Sequence, residues 1–209
     1  MTTSKLSVRT RHVVGGSLLA CSALSSSHAV VIMSPAQNII VPGAGVYINV
    51  VRGANDGNPG LITGWDVGVY GFGSANFQSQ LIQNYVSSPN SQIANIALGA
   101  TIGNASTYHT GLGGATFGSL ANQWALNATN YFGFQFFAEG TPGTGTLHYG
   151  YGTMIVGATT SATKTIGRLF YESTPLTAIT VVPEPASAAL FLAGVLGLAV
   201  LRRRRWAAV

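Results

Sequence analysis

Side chains that could carry acid–base or metal chemistry are few and scattered in this sequence. Between positions 30 and 182 the acids and histidines are Asp56, Asp66, His109, Glu139, His148 and Glu172. Glu139 and Glu172 could serve as the paired carboxylates of a glycoside hydrolase, one as acid and the other as nucleophile or base. No sequence feature brings these two together, and the chain has no Gly-x-Ser-x-Gly, His-Glu-x-x-His, phosphate-loop or dinucleotide-binding motif. The residue types therefore favour a protein that is not an enzyme.

Metal binding and sugar binding each have one weak signal. The asparagine- and glycine-rich segment 55–60 offers oxygen atoms to calcium, which takes six to eight such ligands. It lacks the dense acidic spacing of a calcium loop, so a hydrogen-bonded turn is favoured. His109 and His148 have no cysteine or carboxylate cluster beside them to complete a zinc site, and we predict no cofactor. Asp66 follows Trp65 and could either support a buried tryptophan or belong to a sugar-binding face.

The net charge of +5 comes from the two ends of the chain. Seven of the ten basic residues lie in the first eleven or the last eight positions. Between positions 30 and 182, three basic residues stand against four acidic ones. A near-neutral centre offers no basic surface to a polyanion, so we expect no nucleic-acid partner.

The first 29 residues have the three parts of a secretory signal peptide. Lys5, Arg9 and Arg11 give a positive start, and a mostly apolar run follows over positions 13–24. This run is shorter than the roughly 20 residues of a transmembrane helix. Small residues then lead to Ala29. We therefore predict a signal helix within 1–29, export by the Sec machinery and cleavage after Ala29.

Two alternatives remain for this leader. It could stay attached as an uncleaved anchor or as a buried helix. In addition, Leu18-Leu19-Ala20-Cys21 resembles a lipoprotein box, in which Cys21 would be lipidated. Cys21 is the only cysteine. Removal of the whole leader would therefore leave a chain without disulfides or cysteine metal sites.

The C-terminal segment 182–206 combines two prolines, a charge-free run and an arginine cluster. Positions 186–201 are sixteen residues without a charge, and as a helix they would rise about 24 Å against a hydrocarbon core of about 30 Å. The prolines prevent this helix from extending upstream. The arginines hold its far end in the cytoplasm, so the preceding domain faces outward. The residues that define the pattern are Pro183, Glu184, Pro185, Arg202, Arg203, Arg204 and Arg205.

This arrangement resembles the PEP-CTERM sorting signal of Gram-negative, often biofilm-forming bacteria. The resemblance implies processing by an exosortase, a membrane-embedded enzyme similar to cysteine transpeptidases. It also implies anchoring in the inner membrane before sorting, and then delivery to the cell surface or an extracellular exopolysaccharide matrix. The alternative is a plain C-terminal membrane anchor, which would also keep the domain outside.

Positions 30–181 are expected to form one all-β domain. Short apolar or alternating runs are separated by glycine, asparagine, serine and proline, which is typical of an antiparallel β-sandwich. We predict a single sandwich of the jelly-roll or lectin-like kind. Segment 78–85 is predicted as a strand or a short helix, 94–114 as loop-rich and 139–145 as a connection between antiparallel strands. The predicted strands are 46–51, 62–72, 131–137, 146–156 and 165–171.

The C-terminal half carries a second resemblance to PEP-CTERM proteins. Tyr131-Phe-Gly-Phe-Gln-Phe, Leu147-His-Tyr-Gly-Tyr-Gly and Tyr171-Glu172 are similar to a pattern common in their ectodomains. Tyr151 stands where that pattern usually has tryptophan, and Gln135 where it often has arginine. The resemblance implies a β-sandwich and identifies no activity.

These patterns predict an exported, non-enzymatic protein with a structural or adhesive role at the surface or in the matrix. The alternative is a carbohydrate-binding module of the same fold. In that case aromatic side chains on one face of a sheet would stack on sugar rings of the exopolysaccharide. Exposed, coplanar aromatic rings would favour the alternative.

Overall fold

The structure, a computed structural model, describes residues 30–70, 75–78, 83–87, 92–138 and 145–183. These ranges form antiparallel β-sheets and one short 3₁₀ turn, Pro59–Leu61, so the fold is all-β as predicted. In the described ranges no helix is long and apolar enough to cross a membrane. The predicted signal helix, its cleavage residue Ala29 and the sorting signal beyond Pro183, including the predicted helix 186–201, lie outside them.

The described strands form a six-stranded, a five-stranded and a two-stranded sheet. In chain order the strands are β1 (Val31–Val41), β2 (Val46–Ile48), β3 (Asn55–Asp56), β4 (Val67–Tyr70), β5 (Asn76–Gln78), β6 (Gln83–Val86), β7 (Thr101–Ile102), β8 (Tyr108–Thr110), β9 (Gly113–Gly114), β10 (Ala128–Ala138), β11 (Thr146–Val156), β12 (Lys164–Glu172) and β13 (Ile179–Thr180). The six-stranded sheet has the order β1-β12-β11-β10-β6-β8, and the five-stranded sheet has the order β3-β2-β4-β5-β9. Strands β13 and β7 pair separately.

The two larger sheets share one hydrophobic core. Val67, Val69 and Phe77 from the five-stranded sheet pack with aromatic and aliphatic side chains of β10, β11 and β12. The ring of Phe77 lies 5.2 Å from that of Phe132 and 5.4 Å from that of Trp124, between centroids. Burial of such large rings supplies much of the free energy of folding.

A second core covers the other face of the six-stranded sheet. Tyr149 and Tyr151 of β11 and Phe170 of β12 pack there against Ile102 and Ile179 from the two-stranded sheet. Strand β11 is therefore buried on both faces, and residues 148 to 154 are buried without interruption. A strand buried on both faces loses the alternation between apolar and polar residues.

Aromatic residues and glycines face each other across β10 and β11. Phe132 pairs with Gly152, Tyr151 with Gly133, and Phe134 with Gly150. Gly150 and Gly152 leave room for rings, and Gly133 leaves room for aliphatic side chains. A Cβ at Gly150 would lie 2.6 Å from Phe134 Cζ and 2.6 Å from the Phe170 carbonyl oxygen. The aromatic–glycine motifs of the sequence are thus a packing device at the centre of the sheet.

Tyr85 ties the two larger sheets together through hydrogen bonds. Its side chain is 1% exposed, and its hydroxyl group donates to the Gln78 carbonyl oxygen at 2.9 Å. The phenolic oxygen of Tyr85 accepts a hydrogen bond from the Gly68 N–H at 3.2 Å. Tyr85 belongs to β6 of the six-stranded sheet, whereas Gly68 and Gln78 belong to β4 and β5 of the other. The buried hydroxyl group is satisfied only when the sheets are in register.

Most of the predicted strands are present. Strand β11 has the predicted bounds, and β10 and β12 extend the predictions by a few residues. The predicted strand 46–51 is shorter because residues 50–52 form a turn, and 62–72 contributes only β4. Segment 94–114 is loop-rich as predicted, with three very short strands. Strands β10 and β11 are antiparallel, as expected for the connection 139–145, of which 139–144 lie outside the described residues.

The sequence patterns do not indicate β1. The pairing of β1 with β12 shifts between Met33 and Gln37, around Pro35. Proline cannot donate to a strand ladder and occurs at such irregularities. Asn38 has φ 54°, which interrupts the extended conformation again. These breaks remove the regular alternation from which a strand is recognised.

We expect Gly150→Ala to lower the free energy of unfolding by about 1–3 kcal/mol, because the new methyl group meets a ring and a backbone oxygen that cannot both move. Urea unfolding measures this change. Gly57→Ala is the matched control, because its Cβ would meet only the Gly45 carbonyl oxygen, at 3.6 Å. Equal stabilities for the two variants would contradict the packing argument.

Alkaline pH should destabilise the protein through its buried tyrosines. Burial raises the pKa of Tyr85 far above its ordinary value of 10.0. Above pH 10 the unfolded chain therefore loses a proton that the folded protein keeps, and stability falls by about 1.4 kcal/mol per pH unit for each such tyrosine. Tyr85→Phe should flatten this fall, which urea unfolding between pH 9 and 11.5 measures.

Tyr108→Phe should flatten the fall in the same way, since burial also raises the pKa of Tyr108 well above 10.0. An unchanged slope in both variants would show that these phenols do not govern the alkaline limit.

Candidate functional site

His148 and Glu172 lie together where β12 ends and β1 and β11 begin. His148 Nδ1 is 2.8 Å from the carbonyl oxygen of Glu172. The backbone of Val30, just before β1, contacts the same place. We call Val30, Thr146, His148, Glu172 and Thr174 the end cluster. It contains two of the chemistry-bearing residues that the sequence identifies, and the ring of His148 bonds there to the backbone of Glu172.

The carboxylate of Glu172 is enclosed by hydrogen-bond donors. The residue is 1% exposed. Its Oε1 atom accepts from the Val30 N–H at 2.9 Å, from the Thr174 N–H at 3.0 Å and from the Ser173 hydroxyl group at 3.4 Å. A buried carboxylate requires such donors, since burial removes its hydration. The carboxylate thereby fixes two segments at the end of β12: the turn that follows the strand and the start of the neighbouring β1.

Both ring nitrogens of His148 are engaged. The residue is 5% exposed. Because a carbonyl oxygen can only accept, Nδ1 carries the proton that it donates to Glu172. Nε2 is then the acceptor for the Thr146 hydroxyl group, at 2.9 Å. With both nitrogens used inside the fold, His148 serves as a structural crosslink between β11 and β12.

The other predicted site residues do not join this cluster. Glu139 lies outside the described residues, so its pairing with Glu172 stays a prediction. His109 lies on β8, separated from β11 by β10 and β6 in the sheet. The described residues contain no group of three or more His, Cys, Asp or Glu side chains that could hold a metal ion.

Asp66 and Asn49 organise the turn after β2. Asp66 is 6% exposed and accepts the Val50 N–H at 2.8 Å through Oδ2. Asn49 accepts the Arg52 N–H at 2.7 Å and donates to the Gly64 carbonyl oxygen at 2.8 Å. Both side chains therefore replace missing strand hydrogen bonds. Asp66 is therefore a buried residue that supports the fold at this turn.

The segment that resembled a weak calcium loop forms successive hydrogen-bonded turns. Asp56 Oδ1 accepts the Asn58 N–H at 2.8 Å, and Asn58 Oδ1 accepts the Gly60 N–H at 2.9 Å. This is the local bonding by which Asp and Asn favour turns. The turn leads into the 3₁₀ turn Pro59–Leu61.

Lys164 is a buried polar residue that the sequence analysis does not single out. It is 1% exposed, and Nζ donates to the carbonyl oxygens of Thr160 at 2.8 Å and Ala162 at 3.3 Å. Burial lowers the pKa of its ammonium group. The lysine closes the turn between β11 and β12. The only feature of the sequence that could have indicated its burial is its spacing: Lys164 lies two residues before Ile166, on the buried face of β12.

The aromatic residues do not form a flat platform in the described chain. Phe132, Phe134, Tyr149 and Tyr151 are at most 1% exposed. On the five-stranded sheet, the half-buried Tyr47 ring crosses the Trp65 ring at 69° and the Tyr70 ring at 75°. Crossed rings cannot lie flat against one sugar ring. The geometry therefore gives no support to a stacking surface made of these residues.

A shallow apolar pocket of about 350 Å³ lies beside Trp124. The indole Nε1 atom donates to the Ile93 carbonyl oxygen at 2.9 Å, so this polar group is already used. The described lining residues carry no charge: Phe117, Gly118, Trp124, Ala125 and Leu126. Ligand pockets usually combine apolar walls with several convergent polar groups. This pocket lacks such groups among its described residues.

We expect His148→Gln to lower the free energy of unfolding by about 1–3 kcal/mol, because it leaves buried hydrogen-bonding groups without good partners. Thermal and urea unfolding at pH 7.5 measure the change. Thr146→Val, which removes only the bond at Nε2, should cost less than His148→Gln. The reverse order would contradict the crosslinking role assigned to Nδ1.

No protein-family model, curated protein or solved structure matches the chain. The interpretation of the end cluster therefore depends on its own geometry. That geometry shows buried polar side chains bonded mainly to backbone groups of neighbouring strands and turns.

Proposed function

We propose that this protein is exported and sorted through its C-terminus to the cell surface or extracellular matrix. There it has a structural or adhesive role and is not an enzyme. The observation that carries the proposal is the order of Pro183, Glu184 and Pro185, the charge-free run 186–201 and the arginine cluster 202–205. This order resembles the PEP-CTERM signal, which implies an exosortase as the processing partner.

The place where the chain leaves the fold supports a separate sorting segment. Val181 is fully buried, and its backbone bonds to Ala100 and Gly99. The Val182 carbonyl oxygen accepts a hydrogen bond from the Tyr151 hydroxyl group at 3.4 Å, and Val182 is 43% exposed. Pro183 is exposed. The first residue of the motif is thus exposed at the C-terminal end of the described chain, which supports its access to a processing enzyme.

The finer fold that we propose is a single β-sandwich of the jelly-roll or lectin-like kind. Its support is the shared core between the six-stranded and five-stranded sheets, with mainly antiparallel pairing throughout. Such a domain presents loops and sheet edges to partners while its aromatic residues stay in the core. This suits a matrix component whose work is mechanical.

The use of the buried polar groups supports a non-enzymatic role. Asp66, Lys164 and Glu172 all bond to backbone groups of their own fold. Catalytic groups, in contrast, converge on a cleft where a substrate can meet them. The exopolysaccharide remains a proposed partner, contacted through surfaces other than the buried aromatic strands.

The sorting proposal predicts that replacement of Pro183-Glu184-Pro185 by three alanines blocks processing. The apolar run and the arginines stay intact. If the C-terminal segment were only a membrane anchor, the variant and the wild type would therefore behave alike. We expect the variant to remain in the inner membrane with its arginine tail, whereas the wild type loses the tail and reaches the surface or matrix. Cell fractionation and intact mass of an epitope-tagged protein distinguish these results.

The tag can be inserted between Gly111 and Leu112, since Leu112 is 62% exposed and the surroundings of Gly111 are open. A host strain without exosortase is the control and should reproduce the behaviour of the alanine variant. An intact tail in both strains for the wild-type protein would reduce it to a membrane-anchored domain.

A further inference from the structure

The amino-terminal end of the described chain is bonded to a buried carboxylate. The Val30 nitrogen lies 2.9 Å from Glu172 Oε1. The Val30 carbonyl oxygen accepts from the Ser173 N–H at 3.0 Å. Both polar groups of the Val30 backbone are therefore fixed on the turn that follows β12, although the Val30 side chain is half exposed. This position is the first residue after the predicted cleavage at Ala29.

Cleavage at this bond would change the charge of the contact. Hydrolysis of the Ala29–Val30 peptide bond adds water, leaves a carboxylate on Ala29 and gives Val30 an amino group that takes up a proton. The neutral amide N–H that now faces Glu172 would become an ammonium group with three donors. In the described chain, the donors to this carboxylate are the Val30 and Thr174 N–H groups and the Ser173 hydroxyl group, all uncharged.

We infer that the end cluster is a binding site for the new amino terminus, in which the Val30 ammonium group forms a buried ion pair with Glu172. This inference rests on the proposed export and cleavage. An ammonium group at this place compensates a buried carboxylate better than an amide does, because it adds the attraction between two opposite charges to the hydrogen bond. Removal of the leader thus completes the site.

The ion pair would fasten β1 to the sheet. Strand β1 is an edge strand that pairs with β12, and its first pair is Val31 with Glu172. The pairing is irregular around Pro35, so this end of the strand is held by only a few pairs. Edge strands that fray expose unpaired backbone to other chains. Maturation would therefore tighten the edge at the residue where the leader is removed.

The direct test is the titration of the Val30 amine in the processed full-length protein. Intact mass first establishes that the chain begins at Val30. An α-amino group ordinarily has a pKa of about 7.7–8.0, and a neighbouring carboxylate raises it. At pH 8 the amine should therefore react with an acylating reagent about five-fold more slowly than an unpaired terminus, because a rise of one pKa unit lowers the unprotonated fraction by that factor at this pH. Lys164, the only other amine after cleavage, is resolved by peptide mapping.

Two variants separate the pair from its surroundings. Glu172→Gln keeps the shape of the side chain without its charge and should return the rate to that of an ordinary terminus. A threonine inserted between Ala29 and Val30 keeps Glu172 but displaces the ammonium group by one residue, and should do the same. Asp56→Asn, which alters an exposed turn carboxylate, is the matched control and should change nothing.

The pH dependence has a defined sign. Because pairing raises the pKa of the ammonium group, its stabilisation is fully present below about pH 7.7 and is lost as pH rises through the pKa of the folded protein. The wild type should lose its advantage over the threonine-insertion variant in that window. His148 on β11 and Tyr171 on β12 are the titratable neighbours. The same comparison in a His148→Gln background tests the amine without the histidine.

The possible failures are distinguishable. A chain that begins at Val30 but whose amine reacts equally fast in the wild type and Glu172→Gln overturns the ion pair and leaves the export proposal standing. A chain that keeps its leader or begins elsewhere overturns both. Should Glu172→Gln fail to fold, the wild type and the threonine insertion still decide the result through their labelling rates.

Discussion

The structure depends on the fit between aromatic rings and glycines where β10 meets β11. Phe132, Tyr151 and Phe134 each face a glycine on the opposite strand. The absence of a Cβ makes room for rings at Gly150 and Gly152, and for aliphatic side chains at Gly133. Both faces of this strand pair are covered, one by the five-stranded sheet and the other by the two-stranded sheet and its flanking segments. The ring–glycine pairs therefore set the spacing of both hydrophobic cores.

Scarcity of charge determines how the rest of the fold is held together. Only 7% of the residues are charged, so surface ion-pair networks cannot contribute much. Instead, buried polar side chains bond to the backbone at places where strands end. Asp66 does this for the turn after β2, Lys164 at the start of β12 and Glu172 at its end. Such bonds fix the residue at which each strand ends, because any other arrangement would leave a buried polar group without a partner and lower the stability of the fold.

The two ends of the packed domain differ in how they are fastened. The C-terminal end is held by backbone bonds of Val181 to the segment around Ala100 and then emerges into solvent at Pro183. The N-terminal end is held by backbone bonds to Ser173 and β12, and in addition by a side chain, the buried carboxylate of Glu172. A side-chain carboxylate can respond to a change of charge at its partner, whereas a backbone ladder cannot. This contrast fits a chain whose two ends are proposed to meet different processing enzymes.

The sequence alone determined the fold class, the three longest C-terminal strands and the expected extent of the domain. Local patterns suffice there, because alternation, aromatic runs and turn residues act over neighbouring positions. Strand β1 was missed because Pro35 and Asn38 break its alternation, and β2 and β4 are shorter than predicted because turns replace their ends. The outer faces of the aromatic strands could not be assigned from the sequence, since the segments that cover Tyr149 and Tyr151 lie far away along the chain.

For the candidate site, the sequence supplied the residues but not their arrangement. It indicated Glu172 and His148 as chemistry-bearing and predicted cleavage after Ala29, each from its own neighbourhood. Only the tertiary structure decided that Glu172 meets Val30, because the two are 142 positions apart. Likewise, nothing local shows that Lys164 is buried. Pairing between β1 and β12 brings together two ends of the domain, and long-range pairing of this kind depends on the packing of the whole sheet.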